Sequence, residues 1–419
     1  MKTKWCIAGF LTVMFIAGCA SAPPPTGHPS NMAWYQPGVS AEQTGRDLAA
    51  SQYYAMVNAG GYSVQGDTVG QTMLLGMFAQ SAQQSRENQL IQSRMAALGY
   101  SLVKTNSQLL KTGFIPVTEM TPAQNAQVFE TWKTKAESGD AGAQFQLGSM
   151  YYSGTFGATK DISEAIKWYQ KAYDQNYPNM QFPLASAYAK RGFQEAINGD
   201  LDGALVDLNK VIEIKPDFTE TYAVRGFVKH IKGDFGGAMA DFNKDIEMNP
   251  KDALVYCARG LLNYDSHKFS DALTDLRKGC EFGLDVTNRD NSHNYIWLIR
   301  ARLGETDDAT KELQTYWNRR ESGTPDDWLY KISSFLTGRL AEPDFFKAAE
   351  NKDSKTDKEQ HCEVYFYAAS KRLIEGDKTT ATNYFKKSVA TGCNPFDVDE
   401  IISAAEELKS LEINDTNHP

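Results

Sequence analysis

"TYAVRGFVKHIKGDFGGAMADFNKDIEMNP", residues 221–250, is the middle copy of a motif written three times. Tyr222, Gly226, Ala238 and Phe242 stand thirty-four residues earlier as Tyr188, Gly192, Ala204 and Leu208, and thirty-four later as Tyr256, Gly260, Ala272 and Leu276. Such a period marks stacked supersecondary units, none of which can bury its apolar face alone. Gly192 and Ala204 are small where the two helices of one unit come closest. Pro216, repeated as Pro250, ends the second helix because proline cannot continue it. The third copy has Leu284 there. Gly199-Asp200 and Gly233-Asp234 supply a turn and an N-cap between the helices; the third copy carries His267-Lys268 in their place.

This spacing matches the tetratricopeptide helix-turn-helix pattern. Upstream, residues 136–173 resemble its Sel-like relative through Ala136, Gly139, Ala143, Leu147, Gly148, Tyr151, Gly154, Asp161, Ala165, Trp168, Tyr169 and Ala172. Downstream, Tyr365, Ala369, Gly376-Asp377, Ala381 and Phe385 return to the tetratricopeptide pattern. Between them, Trp297, Leu303, Ala309, Leu313, Trp317, Trp328, Ile332, Phe335, Leu336 and Phe346 fall at helical spacing in degenerate pairs. The expected fold is an all-α tetratricopeptide/Sel-like solenoid behind a small, mainly helical N-terminal segment. Its divisions are a leader (1–18), a flexible linker (19–39), the small helical segment (40–112), a Sel-like region (121–184), three full repeats (185–286), degenerate repeats (287–355), a last repeat with a capping helix (356–410) and a disordered tail (411–419).

The amino terminus, MKTKWCIAGFLTVMFIAGC, places Lys2 and Lys4 before an apolar run and small residues before Cys19, as a secretory leader does. Ile16-Ala17-Gly18-Cys19 resembles the bacterial lipobox, which implies cleavage before a lipidated Cys19 and a permanent membrane anchor. Ala20, not an aspartate, follows the cysteine, which in lipoproteins of enterobacterial type implies the outer membrane. Loss of Lys2 and Lys4 takes the formal charge from −9 to −11, a poor match for nucleic acid. Residues 40–112 do not repeat. Their stretches "SAEQTGRDLAASQYYAMVNAGG" and "SRENQLIQSRMAALGYSLV" read as two helices around a glycine-containing middle. They resemble a small domain behind the lipobox of other envelope lipoproteins, in which cysteines stand where Ser51 and Ser93 stand here. An amphipathic stalk or hairpin with no ligand is the simpler reading of them.

The remaining cysteines fall in register. In the repeat frame starting at Ala253, Cys257 is fifth and Cys280 twenty-eighth; in the last repeat Cys362 is first and Cys393 thirty-second. Both pairs sum to thirty-three, which sets each pair at one level of an antiparallel hairpin. An oxidising compartment permits disulfides Cys257–Cys280 and Cys362–Cys393. A zinc site would need four ligands, and no other cysteine or histidine lies two to four residues from these. A catalytic thiol would need a histidine partner, and none can be assigned.

No HExxH, GxSxG, phosphate-loop or dinucleotide motif occurs, so no cofactor or metal is expected and the chain reads as non-enzymatic. Asp307-Asp308 and Asp326-Asp327 sit at helix starts, where carboxylates suit the helix dipole. Arg191, Arg225 and Arg259 recur at thirty-four, as do Asp207, Asp241 and Asp275. They suit either a clamp for peptide carboxylates or, the simpler reading, a structural ion-pair ladder. The concave side of a solenoid is lined by first helices, here Phe193, Ala196, Ile197, Phe227, His230, Ile231, Leu261 and Tyr264. Exposed, they would form an apolar peptide groove; otherwise they are core.

Lipobox, repeat array and tail together resemble outer-membrane tetratricopeptide lipoproteins of the new-lipoprotein-I type over residues 185–408. Trp328, Phe335, Gly338, Glu363, Phe366, Tyr367, Gly376-Asp377, Ala381, Phe396 and Glu407-Leu408 carry the likeness. It implies a lipid-anchored adaptor on the periplasmic face that docks proteases or peptidoglycan hydrolases and can form a homodimer. A pilotin-like escort of one secretion or pilus subunit is the alternative.

Overall fold

The computed structural model describes residues 32–35, 101–104, 122–320 and 327–416. They fall into two compact units that divide between Met180 and Gln181.

In the first unit, β1 (Met32–Tyr35) and β2 (Ser101–Lys104) form an antiparallel ribbon with Met32 opposite Lys104 and Tyr35 opposite Ser101. Ser101–Val103 are therefore strand and not the end of the expected helix: once a partner strand is present, a Leu-Val pair favours extended pairing. The rest of 40–112, the leader, Cys19 and the linker outside β1 lie outside the described residues. Helices α1 (Pro122–Glu137), α2 (Ala141–Ser153) and α3 (Ile162–Asp174) follow. Asp140 and Asp161 cap α2 and α3 by accepting from the Ala143 and Glu164 N–H groups, and Ala136, Ala143, Leu147 and Trp168 make the core. A Cβ on Gly148 would lie 2.6 Å from the Tyr169 ring, so only glycine lets these helices meet.

In the second unit, α4 (Gln181–Ile197), α6 (Glu220–Ile231) and α8 (Ala253–Asp265) each pack antiparallel on the next helix: α5 (Leu201–Ile214), α7 (Phe235–Met248) and α9 (Phe269–Phe282). The repeat glycines sit where the helices touch. Cβ atoms at Gly192, Gly226 and Gly260 would come within 2.9 Å of Asp207, Phe242 and Leu276. Gly199 and Gly233 take left-handed φ of 88° and 78°, and Asp200 and Asp234 accept from the Gly203 and Gly237 N–H groups at 2.9 Å. In the third repeat His267 takes the same left-handed place at φ 57°, and Lys268 makes no side-chain cap. The missing proline is replaced by Gly283, a left-handed cap on α9, while Leu284 is buried.

Helices α10 (Val286–Arg302), α11 (Thr306–Arg319), α12 (Trp328–Leu336), α13 (Glu342–Ala348), α14 (Ser354–Ile374), α15 (Lys378–Ala390) and α16 (Glu400–Thr416) complete this unit. A continuous core runs from Leu261 and Tyr264 through Trp297, Trp317 and Phe335 to Phe366 and Phe385. Leu303, expected on the buried stripe, caps α10 and is 47% exposed. The tail expected from residue 411 instead stays helical to Thr416, because Leu411 still packs on the core. Trp328 donates its indole N–H to buried Glu363 at 2.6 Å. No helix among the described residues is long and apolar enough to cross a membrane.

Candidate peptide-binding groove

The arginine and aspartate ladders resolve into ion pairs. Arg191, Arg225 and Arg259 each grip the aspartate sixteen residues on through two parallel hydrogen bonds of 2.6–2.9 Å. Arg225 and Arg259 also reach back to Asn209 and Asn243 of the preceding repeat at 2.7 and 2.6 Å. Their guanidinium centres lie 5.7 and 5.3 Å from the Tyr222 and Tyr256 rings. The ladder stitches helix to helix and repeat to repeat, so the simpler of the two sequence readings holds.

The residues expected to line a groove are covered more than open. Phe193, Phe227, His230, Leu261 and Tyr264 are buried, while Ile197 and Ile231 are half-buried. Tyr264 packs edge-on against Tyr295 and Phe366, so it and Leu261 belong to the main core. Further up the array the cover is the chain's own segment after α15. The Asn394 side chain folds a turn by accepting from the Phe396 N–H at 3.0 Å and donates to the Ile197 carbonyl at 3.2 Å. That carbonyl belongs to the last turn of α4, which has no intrahelical donor. The turn sets the Phe396 ring edge-on to Phe227, 5.2 Å between centroids.

Farther along, Ser403 donates to Asp265 at 2.5 Å, and Asp265 pairs with His230 at 2.7 Å, all three buried. Glu407 of α16 pairs with Arg302 at 2.7 Å and with His267 at 3.5 Å. The hydrogen bond that the His267 ring donates to Glu407 raises the His267 pKa above its ordinary value. Burial is the largest influence on Glu407 and pushes it upward, but His267 and Arg302 together bring it below the usual glutamate value. Asp399 is buried with neither carboxylate oxygen hydrogen-bonded, and burial followed by neighbouring Glu400 raises its pKa strongly. The sequence reading missed Asn394, Asp265 and Ser403. Its available signal was the Asn-Pro turn behind Cys393 with an aromatic one residue on.

The cysteine pairs behave differently from each other. Cys280, Cys362 and Cys393 are free thiols. Neither expected bond, Cys257–Cys280 or Cys362–Cys393, is therefore formed. Gly279 is the residue that faces α8, its Cβ position 3.5 Å from the Cys257 nitrogen. Cys280 beside it meets Ser292, whose hydroxyl also lies 3.4 Å from the Cys257 sulfur. Burial lifts the Cys280 thiol to about 11. Cys362 and Cys393, by contrast, share a hydrogen bond that raises the first and lowers the second. Ser388 lies 3.4 Å from the Cys362 sulfur, Thr391 donates to the Cys393 sulfur at 3.4 Å, and the Lys358 carbonyl is 3.3 Å from it.

Stacked helical hairpins, glycine contacts and a repeat-spanning ion ladder give this chain an all-α, tetratricopeptide-like helical-repeat fold. Residues 141–177 match the Sel1 repeat. The chain is 49% identical over 47 residues to a putative sel1-like repeat-containing protein of Acanthamoeba polyphaga mimivirus, covering 11% of this chain and 8% of that one. It is 32% identical over 62 residues to an ERAD-associated E3 ubiquitin-protein ligase component of Arabidopsis thaliana, covering 15% and 9%. It thus spans under a tenth of either relative. A tetratricopeptide repeat protein from Parabacteroides merdae aligns in structure over 68% of this chain and 99% of its own, at 19% identity and TM-score 0.39.

Proposed function

We propose that this chain is a non-enzymatic scaffold, lipid-anchored through Cys19 at the periplasmic face of the outer membrane, that docks envelope proteins such as proteases or peptidoglycan hydrolases on its solenoid. The observation that carries the binding role is the seating of Asn394 and Phe396 on the first two repeats. A helix-end carbonyl takes the amide and Phe227 takes the ring, which is how a repeat groove engages a peptide. The anchor rests on the lipobox-like Ile16–Cys19 and the sorting on Ala20.

Affinity purification from crosslinked envelopes tests the partner class. Recovery of several proteases or peptidoglycan hydrolases supports the scaffold, whereas a single secretin or pilin subunit replaces it with the escort reading. Cys19→Ala tests the anchor separately: an unprocessed or soluble chain is expected, and unchanged membrane fractionation refutes it.

A further inference from the structure

The last helix, α16, enters the core acid first. Asp399 stands at its cap position, where an aspartate ordinarily accepts from the following turn, yet both carboxylate oxygens are buried and accept no hydrogen bond. Glu400, next in the chain, is fully buried. The Ser403 N–H donates to the Asp399 carbonyl at 3.3 Å, which puts Ser403 one turn on and on the same face. Its hydroxyl reaches Asp265 of α8 at 2.5 Å. Three carboxyl groups therefore crowd one helical turn. Around them stand His230 of α6, bound to Asp265 at 2.7 Å, Tyr295 of α10, 3.5 Å from the Ser403 hydroxyl, and Glu363 and Tyr367 of α14. The residues that α15 buries, Ala381, Phe385 and Ser388, carry no charge. The Tyr367 hydroxyl lies 3.0 Å from both Glu400 and the Asn291 side-chain oxygen. A phenol has one hydrogen to give, and a protonated Glu400 supplies a second, as would the amide of a turned Asn291. Two turns on, buried Glu407 meets Arg302 of α10 and His267, which is 36% exposed on the turn between α8 and α9. The turn ahead of the helix is fixed independently, with Phe396 and Val398 buried and Asp397 paired with Lys355 at 2.9 Å.

We propose that α16 is a proton-held clasp: its first turns, residues 399–407, dock on α8, α10 and α14 with protons on the Asp399–Glu400 pair and on His267, and loosen as pH rises through neutral. Carboxyl groups packed this closely cannot all ionise, and a buried carboxylate without a donor is costly. Asp399 therefore keeps a proton when docked and loses it to solvent when the helix opens. Its upward shift comes from burial first, then from Glu400 and Asp265. His267 acts with the same sign, since its bond to Glu407 raises it. Both contributions are fully present below the ordinary pKa of the free side chain and fade as pH rises through the value in the docked state. The pull of Glu407 on His267 and Arg302 fails only below the usual glutamate range, because Glu407 itself is lowered. Docking is thus firmest under mildly acidic conditions. The clasp holds whatever binds the solenoid, and it sets how firmly the chain's own carboxyl-terminal helix covers Asp265 and Tyr295.

The test is hydrogen exchange on the full chain from pH 5 to 9, with rates corrected for the intrinsic pH dependence of amide exchange. Protection of amides 400–407, taken relative to α5 and α7 of the same unit, should fall about tenfold per pH unit between pH 5 and 7 for each proton released on opening. Asp399→Asn should remove about one such factor of ten per unit. His267→Asn keeps a residue suited to the left-handed turn and leaves the Arg302–Glu407 pair; it should lower protection about threefold at pH 5.5 and leave it unchanged at pH 9. A wild-type profile for 400–407 that is flat relative to α5 and α7 overturns the clasp without recourse to any variant. So does an Asp399→Asn profile parallel to that of wild type. If α5, α7 and 400–407 lose protection together, the whole unit is titrating and the clasp is likewise refuted.

Discussion

Asp245 of α7 is fully buried and neither of its carboxylate oxygens has a hydrogen-bond partner. Burial first, then the negative charges of Asp252 and Glu220, raise its pKa from 3.8 to about 8; the nearby Ala223 N–H tempers the rise without reaching hydrogen-bond geometry. The thirty-four-residue frame places Val211 and Gly279 at the same position in the flanking repeats. Because the folded pKa is raised, the native chain holds a proton that the unfolded chain releases. Stability therefore falls as pH rises from about 4 to about 8 and is flat above that. At pH 7 the gap of about three pH units from the unfolded value corresponds to about 4 kcal/mol. Local relaxation takes part of this, so Asp245→Asn is expected to gain on the order of 2–4 kcal/mol at pH 7 and little at pH 4. The amide is also unpartnered, but that cost does not depend on pH, so the slope is the informative quantity. Urea denaturation from pH 4 to 9, with the m-value checked for constancy, should show the variant drawing away from wild type between pH 5 and 8. Parallel curves across that range would refute the reasoning.

Other positions give independent tests. Gly226→Ala should destabilise by about 1–3 kcal/mol by overpacking, since its Cβ would lie 2.9 Å from Phe242, whereas Gly236→Ala, with nothing within 4 Å, should be neutral or stabilising by up to about 1 kcal/mol; thermal melts separate the two. Arg259→Ala leaves Asp275 with only Asn263 and should cost about 3–5 kcal/mol, while Arg225→Ala leaves Asp241 its Lys229 partner at 2.8 Å and should cost clearly less; equal losses would show that the ladder contributes packing and not charge. His267 should titrate above an ordinary histidine by NMR and return toward 6.5 in Glu407→Gln, its stabilising contribution being present below the unfolded pKa and lost as pH rises through the folded one.

The solenoid was legible because its determinants are local and periodic. Gly226 opposite Phe242, Asp234 capping α7 and Arg225 pairing with Asp241 all lie within one thirty-four-residue unit, and repetition gives the contact and the ion pair three times and the cap twice. The groove's cover was not legible. Asn394 meets Ile197 across 197 residues of sequence, and one amide and one ring carry no period. Asp245 stood in plain view as an acid aligned with Val211 and Gly279, a departure visible only once the copies are compared at every position. Cys280 illustrates a different failure. Frame arithmetic finds which residues share a level in a hairpin, but sharing a level does not make a bond: Gly279 is the residue set against α8, and Cys280 beside it stays a free thiol.

The Arg–Asn rungs between repeats also bear on how such an array can grow by duplication. A new copy inserted upstream of Asn243 finds an asparagine behind it and supplies an arginine and aspartate ahead, so its joints are already compatible. After the third copy the series is spoiled at both ends: Arg277 stands where an asparagine acceptor would be and pairs with Glu312, and His293 stands where the next arginine would be and stacks 3.7 Å from Tyr316. A fourth standard unit placed there would set arginine against arginine. Evolution of this chain can therefore lengthen the array toward its amino-terminal side, while its carboxyl-terminal end is committed to the divergent helices that follow.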